Sequence, residues 1–183
     1  MGIVSKPLNL HSIIHDYNIK NFVETGTGLG VSLNFMLKLF PQLDMYSIEL
    51  LEDLFNKARK RFPTVHLYNG DTRDILPKII NNITGNTLFW LDAHSPEKYT
   101  TMGKEQRMPL EIELSYIKNY PYKSVIIIDD LRMYEDGPYK KGNWKDRAVY
   151  GENSIQFIYD NFPNHDVRKW YEDEGYITLT PNE

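Results

Sequence analysis

Apolar residues recur along this chain in two rhythms, and their alternation sets the expected architecture. Short apolar runs read as strands at about 20–25 and at Met45–Ile48, Val65–Tyr68, Leu88–Leu91 and Val125–Ile128. The last of these is a β-branched run of the kind that fills a central parallel strand. Between the runs, apolar positions fall at helical spacing. Leu8, Leu10, Ile13 and Ile14 do so over 8–16, and Val31, Leu33, Met36, Leu37 and Phe40 over 29–40, where Pro41 stops the pattern. Leu54, Phe55 and Ala58 mark a helix over 51–61, and Ile75, Leu76, Ile79 and Ile80 mark the next. Pro109 introduces a helix through about 119, and a last helix is expected over 152–161. His165–Tyr171 and Tyr176–Thr180 flank Glu172-Asp173-Glu174-Gly175 and read as a hairpin.

Strands that alternate with helices take right-handed crossovers and pair in parallel. The expected fold is therefore α/β: a doubly wound, mostly parallel sheet of seven strands, with the C-terminal hairpin as an antiparallel edge. A single domain is expected over 1–183, with residues 1–19 as an N-terminal helical cover. The polar stretches 93–107 and 131–151 are expected to serve as lid or substrate loops.

The first strand runs into Asn21-Phe22-Val23-Glu24-Thr25-Gly26-Thr27-Gly28-Leu29-Gly30. A strand, a glycine-rich turn and a helix are how a doubly wound domain opens a site for a nucleotide-like ligand. A dinucleotide fingerprint begun at Gly26 would need a glycine at position 31, where the chain has Val31. Glu-x-Gly-x-Gly-x-Gly instead resembles the first motif of class I S-adenosylmethionine (SAM) methyltransferases. Their seven-stranded arrangement is similar to nearly the whole of this chain. The resemblance implies S-adenosyl-L-methionine as cofactor, lying against Glu24, Thr25, Gly26 and Gly28, with an acidic residue near the turn to serve its ammonium group. The plainer alternative is a glycine-rich turn with no ligand.

Each later strand also ends in polar residues. Glu49 stands 25 residues after Glu24 and can accept two hydrogen bonds from vicinal ribose hydroxyls, or simply cap a turn. The resemblance implies that Asp71 and Thr72 meet the adenine amino group; Asp71 is equally suited to capping the next helix. Asp92, within Leu-Asp-Ala-His, and Asp129-Asp130, within Ile-Ile-Asp-Asp-Leu-Arg, close the fourth and fifth strands. Three carboxylates converging there need shared protons or a cation. Asp92, Asp129 and Asp130 resemble the metal site of macrocin-type sugar O-methyltransferases, and catechol-type enzymes use a similar Asp and Asp-Asn set. That resemblance implies a divalent ion such as Mg2+, held by hard oxygen ligands, which grips adjacent substrate hydroxyls and lowers the pKa of one. The alternative leaves Asp92 to orient the SAM amino group and Asp129 and Asp130 to cap a turn.

His94, two residues past Asp92 and of a type that titrates near neutrality, is the expected general base, together with Asp130; Lys98 and Tyr134 are further candidates. Glu111, nearer its helix start than Glu113, is expected to face the site and hold Arg132. Tyr139, Trp144 and Tyr150 offer an aromatic wall for a sugar or planar substrate, or packing for their own loop. A looser resemblance runs through Trp90–His94, Pro109–Leu114 and Ile128–Tyr134. Those blocks look like a bacterial and viral group of methyltransferase-like proteins, and they imply no substrate.

Composition narrows these readings. A net charge of −4 over 183 residues gives no support for phosphate-backbone binding, and the nucleobase-methyltransferase tetrapeptide is missing. With no cysteine there is no disulfide framework, thiolate metal site or Cys nucleophile. No stretch reaches the length of a membrane span, and Met1–Pro7 lacks a signal-like apolar run. A cytoplasmic enzyme acting on a small-molecule or sugar acceptor is the expectation, with the hairpin edge available for a homodimer. Two rival readings share the fold. One is an aminopropyltransferase of the spermidine synthase type, against which Thr25 and Thr27 argue. The other is a methyltransferase-fold module that binds without turnover.

Overall fold

A computed structural model of the protein describes residues 8–94, 103, 107–144 and 155–182. Lys98, Tyr150, most of the 93–107 stretch and the expected start of the last helix lie outside the described residues.

The elements run α1 (Leu10–Asp16), β1 (Asn21–Thr25), α2 (Val31–Leu39), β2 (Asp44–Glu49), α3 (Glu52–Arg61), β3 (His66–Asn69), α4 (Thr72–Asn82) and β4 (Thr87–Leu91). They continue as α5 (Leu110–Ile117), β5 (Ser124–Asp129), a single 3-10 turn (Leu131–Met133), α6 (Gln156–Asn161), β6 (His165–Trp170) and β7 (Tyr176–Pro181). One seven-stranded sheet has the order β3-β2-β1-β4-β5-β7-β6. The first five strands in that order pair in parallel, and β7 is antiparallel to both β5 and β6. The direction of winding reverses between β1 and β4, the switch point where such sheets open a crevice beyond their carboxyl ends.

The strands are apolar on both sides because both faces are covered. Val23, Phe89, Leu91, Ile126 and Ile128 join Leu76, Leu114 and Ile158 from α4, α5 and α6 in one core. Phe22, Leu88, Trp90, Val125 and Ile127 join Ile14, Leu33 and Met36 from α1 and α2 in the other. Phe22, Val23, Leu88, Phe89, Val125, Ile126 and Ile127 are wholly excluded from solvent. Each contributes about 1.5–3 kcal/mol of burial, which makes β1, β4 and β5 the stiff floor under the crevice.

The alternation also decides which way the polar strand ends point. Glu24 pairs in register with Ser47 and Trp90, on the α2 side. Thr25 pairs with Ile48 and Leu91, on the α4 and α5 side. Expected and observed elements agree in kind and order, with ends moved by a residue or two. The clearest shift is α2, which begins at Val31 because Gly30 precedes it in a left-handed conformation (φ 67°).

Candidate functional site at the switch point

The turn after β1 folds tightly against two neighbouring strands. Ile48 O accepts from the amides of Gly26 (3.0 Å) and Thr27 (3.1 Å), and Thr25 O accepts from the amide of Asp92 (3.0 Å). At Gly26 (φ +83°) a Cβ would stand 2.4 Å from the Asp92 carbonyl oxygen, so only glycine lets the two chains approach this closely. Gly28 (φ +52°) differs: where its Cβ would point there is nothing within 4 Å. One glycine is required by the protein's own backbone, and the other leaves room above it.

Glu24 does not reach into that room. It is fully buried, and its two carboxylate oxygens accept from the hydroxyls of Ser32 on α2 and Ser47 on β2, the latter at 2.6 Å. Thr27 Oγ1 lies 2.6 Å from Ser47 Oγ, so with the Ser47 proton on Glu24 the Thr27 hydroxyl donates to Ser47. Burial pushes the Glu24 carboxyl up to about 7, against the pull of the Ser32 and Ser47 hydrogen bonds. The structure places Glu24 beneath the turn, fastening β1, β2 and α2 to one another.

Glu49 holds the turn from outside. Its Oε2 accepts from the Gly28 amide at 2.7 Å and its Oε1 from the Leu51 amide at 2.8 Å. A carboxylate has about four acceptor positions, and these two bonds use two of them. Asp71 is the N-cap of α4; it accepts from the Arg73 amide (2.9 Å) and pairs with the Arg73 guanidinium through Nε (3.0 Å) and Nη2 (2.9 Å). Thr72, the next residue, is buried.

The ends of β4 and β5 carry the charged cluster. His94 Nε2 lies 2.7 Å from Asp130 Oδ2, and His94 Nδ1 lies 3.3 Å from Asp92 Oδ1. Asp129 Oδ1 accepts from the Asp130 amide at 2.9 Å, where the chain turns through a left-handed Asp130 (φ 55°). Arg132 Nε stands 3.7 Å from Asp130 Oδ1, Arg132 Nη2 is bound to Glu174 Oε1, and the guanidinium lies 5.0 Å from the centre of the Trp144 ring.

Electrostatics follow this geometry. Burial alone would depress the His94 pKa, but the hydrogen bond to Asp130 and the charges of Asp92, Asp130 and Asp129 outweigh it and raise it to about 9. The shift favours the protonated ring, whereas the sequence alone suggests a His94 that titrates near neutrality. Burial pushes Asp92 well up despite the opposing charge of His94, with Asp129, Asp130 and Glu24 adding to the rise. Burial and the Asp130 charge push Asp129 up to about 7. For Asp130, burial acts upward but loses to the His94 hydrogen bond and to the charges of His94 and Arg132, which hold it below the usual carboxylate range.

No family model matches the chain, and no curated protein sequence does. Solved structures do match. A candidate caffeoyl-CoA O-methyltransferase from Staphylococcus aureus superposes over 93% of this chain and 80% of its own, with a TM-score of 0.59 at 14% identity. CalS10, a SAM-bound amino pentose methyltransferase from Micromonospora echinaspora, matches over 93% and 86% with a TM-score of 0.57 at 11% identity. DesVI of Streptomyces venezuelae matches over 89% and 84% with a TM-score of 0.55 at 15% identity. The chain has the class I methyltransferase fold. At such identities the likeness is one of fold, and the chemistry has to be argued from the site.

The described residues give the metal expectation no support. Among the described residues no three His, Asp or Glu side chains surround a point at which an ion could sit. Asp92 and Asp130 both face the His94 ring, and Asp129 spends an oxygen on the next amide. The acid on α5 also differs from expectation. Glu111 is exposed, whereas Glu113 is buried against the Thr25 and Thr72 hydroxyls. Burial pushes Glu113 up to about 7 against the pull of those hydroxyls. Arg132 is held by Glu174, with no part for Glu111. The signal for Glu113 was present as helical spacing: it lies three residues past Leu110 and four before Ile117, both buried. Tyr139 is buried under the hairpin, where it packs 5.4 Å from the Tyr171 ring, and so belongs to the packing alternative.

Proposed function

We propose that the protein is a SAM-dependent methyltransferase that methylates a hydroxyl of a small molecule or sugar. The observation that carries this reading is the pairing of open space above Gly28 with Glu49, which binds the Gly28 amide and keeps acceptor capacity for ribose hydroxyls. Gly26 and Gly28 let the cofactor lie close to the backbone, Asp71 and Thr72 stand at the adenine end, and Thr25 and Asp92 stand at the methionine end. Glu24 acts from below by holding the turn.

In the reaction the acceptor oxygen attacks the SAM methyl carbon in line. The carbon–sulfur bond breaks with its electron pair going to sulfur, leaving S-adenosylhomocysteine, and the acceptor's proton leaves to a base. Asp92 is that base in this reading: 29% of its side chain is exposed, against 11% for Asp130, and its carboxyl is raised towards the range where it can take a proton. His94 and Asp130 then act behind it, orienting Asp92. The rest of the catalysis is positioning.

Calorimetry with SAM and S-adenosylhomocysteine tests the reading. Micromolar binding is expected, weakened about 100-fold or more in Glu49→Ala, since two hydrogen bonds to a charged group contribute about 1.5–3 kcal/mol each. Absence of binding to either nucleoside by the folded protein would overturn the proposal. Binding without methylation of any hydroxylated acceptor would favour the non-catalytic module.

A further inference from the structure

The two carboxylates that project from the ends of β4 and β5 hold a side chain between them. One ring nitrogen of His94 faces Asp130 Oδ2 at 2.7 Å, and the other faces Asp92 Oδ1 at 3.3 Å. A neutral imidazole has one N–H and one lone pair, so one of these contacts would set a lone pair against a carboxylate oxygen. With Asp92 and Asp130 both ionised, both contacts are favourable only when both nitrogens carry protons. The ring is then a cation bridging two anions, with 19% of its side chain exposed. A second cation backs it: Arg132, only 13% exposed, lies 3.7 Å from the other oxygen of Asp130 and is itself anchored on Glu174. The charge of the carboxylates is thus partly offset by groups that the chain supplies.

We propose that His94 is a built-in counter-cation, standing where the resemblance to metal-dependent O-methyltransferases would put a divalent ion. Its consequence, methyl transfer that needs no such ion, rests on the function proposed above; the ion-binding behaviour does not. A ring so placed bars a divalent cation in two ways. It fills the space between Asp92 and Asp130, and it offsets part of the negative charge that hard cations need from an oxygen site. Removing the ring should reverse both.

The test is Mn2+ binding to the apoprotein, read from the electron paramagnetic resonance signal of free Mn2+ at neutral pH. Wild type is expected to show no stoichiometric binding below the millimolar range. His94→Ala is expected to bind one Mn2+ at least tenfold more tightly, and Asp130→Asn added to it should abolish the gain. His94→Lys, which restores a cation, should return to wild-type behaviour. His94→Gln serves in place of the alanine variant should that one fail to fold, as judged by circular dichroism. Two results overturn the proposal: one tightly bound Mn2+ in wild type that is lost in Asp92→Asn, or no gain in either neutral variant. Calorimetry with SAM on the same samples separates the two proposals. Tight Mn2+ together with SAM binding refutes only the counter-cation, and weak Mn2+ without SAM binding refutes only the function.

Discussion

The two glycines of the β1 turn allow a paired substitution whose outcomes should separate stability from binding. Gly26 and Gly28 both have positive φ, so alanine at either position meets a left-handed strain of about 1–2 kcal/mol. At Gly28 nothing further is expected, because no atom lies within 4 Å of the added methyl. At Gly26 the methyl would stand 2.4 Å from Asp92 O, 2.8 Å from Asp92 C and 3.0 Å from Ala93 Cα. None of these is the movable end of a side chain, so the β4 chain itself has to shift, adding about 1–3 kcal/mol. Gly26→Ala should therefore lose about 2–5 kcal/mol and Gly28→Ala about 1–2 kcal/mol. Each kcal/mol lowers Tm by about 2–4 °C in a chain of this size. Denaturant titrations measure the first quantity, and calorimetry with SAM measures the second. Gly28→Ala, though the more stable variant, should bind SAM at least about tenfold more weakly, because its methyl group takes the ligand's place. Equal destabilisation of the two variants would refute the close-approach reasoning. Unchanged SAM affinity in Gly28→Ala would refute the assignment of the open space.

Further outcomes follow from the buried acids. Glu113 has a folded-state pKa of about 7, above its unfolded value of 4.5, so its stabilising contribution is complete below pH 4.5 and is lost as pH rises through 7. Glu113→Gln should remove that dependence, changing the slope of unfolding free energy by about 1.4 kcal/mol per pH unit across the window; an unchanged slope would show that Glu113 is ionised throughout. Glu174→Ala strips Arg132 and Lys141 of a shared partner and should destabilise by about 3 kcal/mol, the low end for a buried pair that loses one member. Chemical denaturation measures that loss, and a value under about 1 kcal/mol would mark the pair as no more than a surface contact.

How much of this was legible in the chain depends on range. The sheet was, because apolar runs such as Val125–Ile128 alternate with helical patterns, and a run of that length has few other places to go. The glycine turn was legible as a turn, but its division of labour was not. That Gly26 meets Asp92 and Gly28 meets nothing is a fact about the end of β4, 92 − 26 = 66 residues away. Glu24 looked like a ligand residue because it precedes the glycines; its burial follows from strand parity, which aims it at Ser32 and Ser47. The acids Asp92, Asp129 and Asp130 were expected to converge, and they do lie together at the ends of β4 and β5. Their counter-charge was left as shared protons or an ion, since spacing along the chain does not reveal that the His94 ring lies between two of them. Glu111 was preferred over Glu113 on position in the helix, where the buried neighbours at Leu110, Leu114 and Ile117 would have decided it.

The clasp at the hairpin bears on how the protein comes into being. Leu131 and Arg132 give their amides to the carbonyls of Gly175 and Glu174, and β7 is the strand that covers the outer edge of β5. During synthesis, β1 to β4 emerge before the acid-bearing end of β5 and well before β7. The acid-bearing end of β5 must then wait for roughly fifty more residues before its neighbour exists, a delay of several seconds at about 5–20 residues per second. Until then Asp129 and Asp130 sit on an open edge, and the 3-10 turn after them has no anchor. The strand-end acids of β5 are therefore the part of the cluster whose surroundings are completed last in the order of the chain.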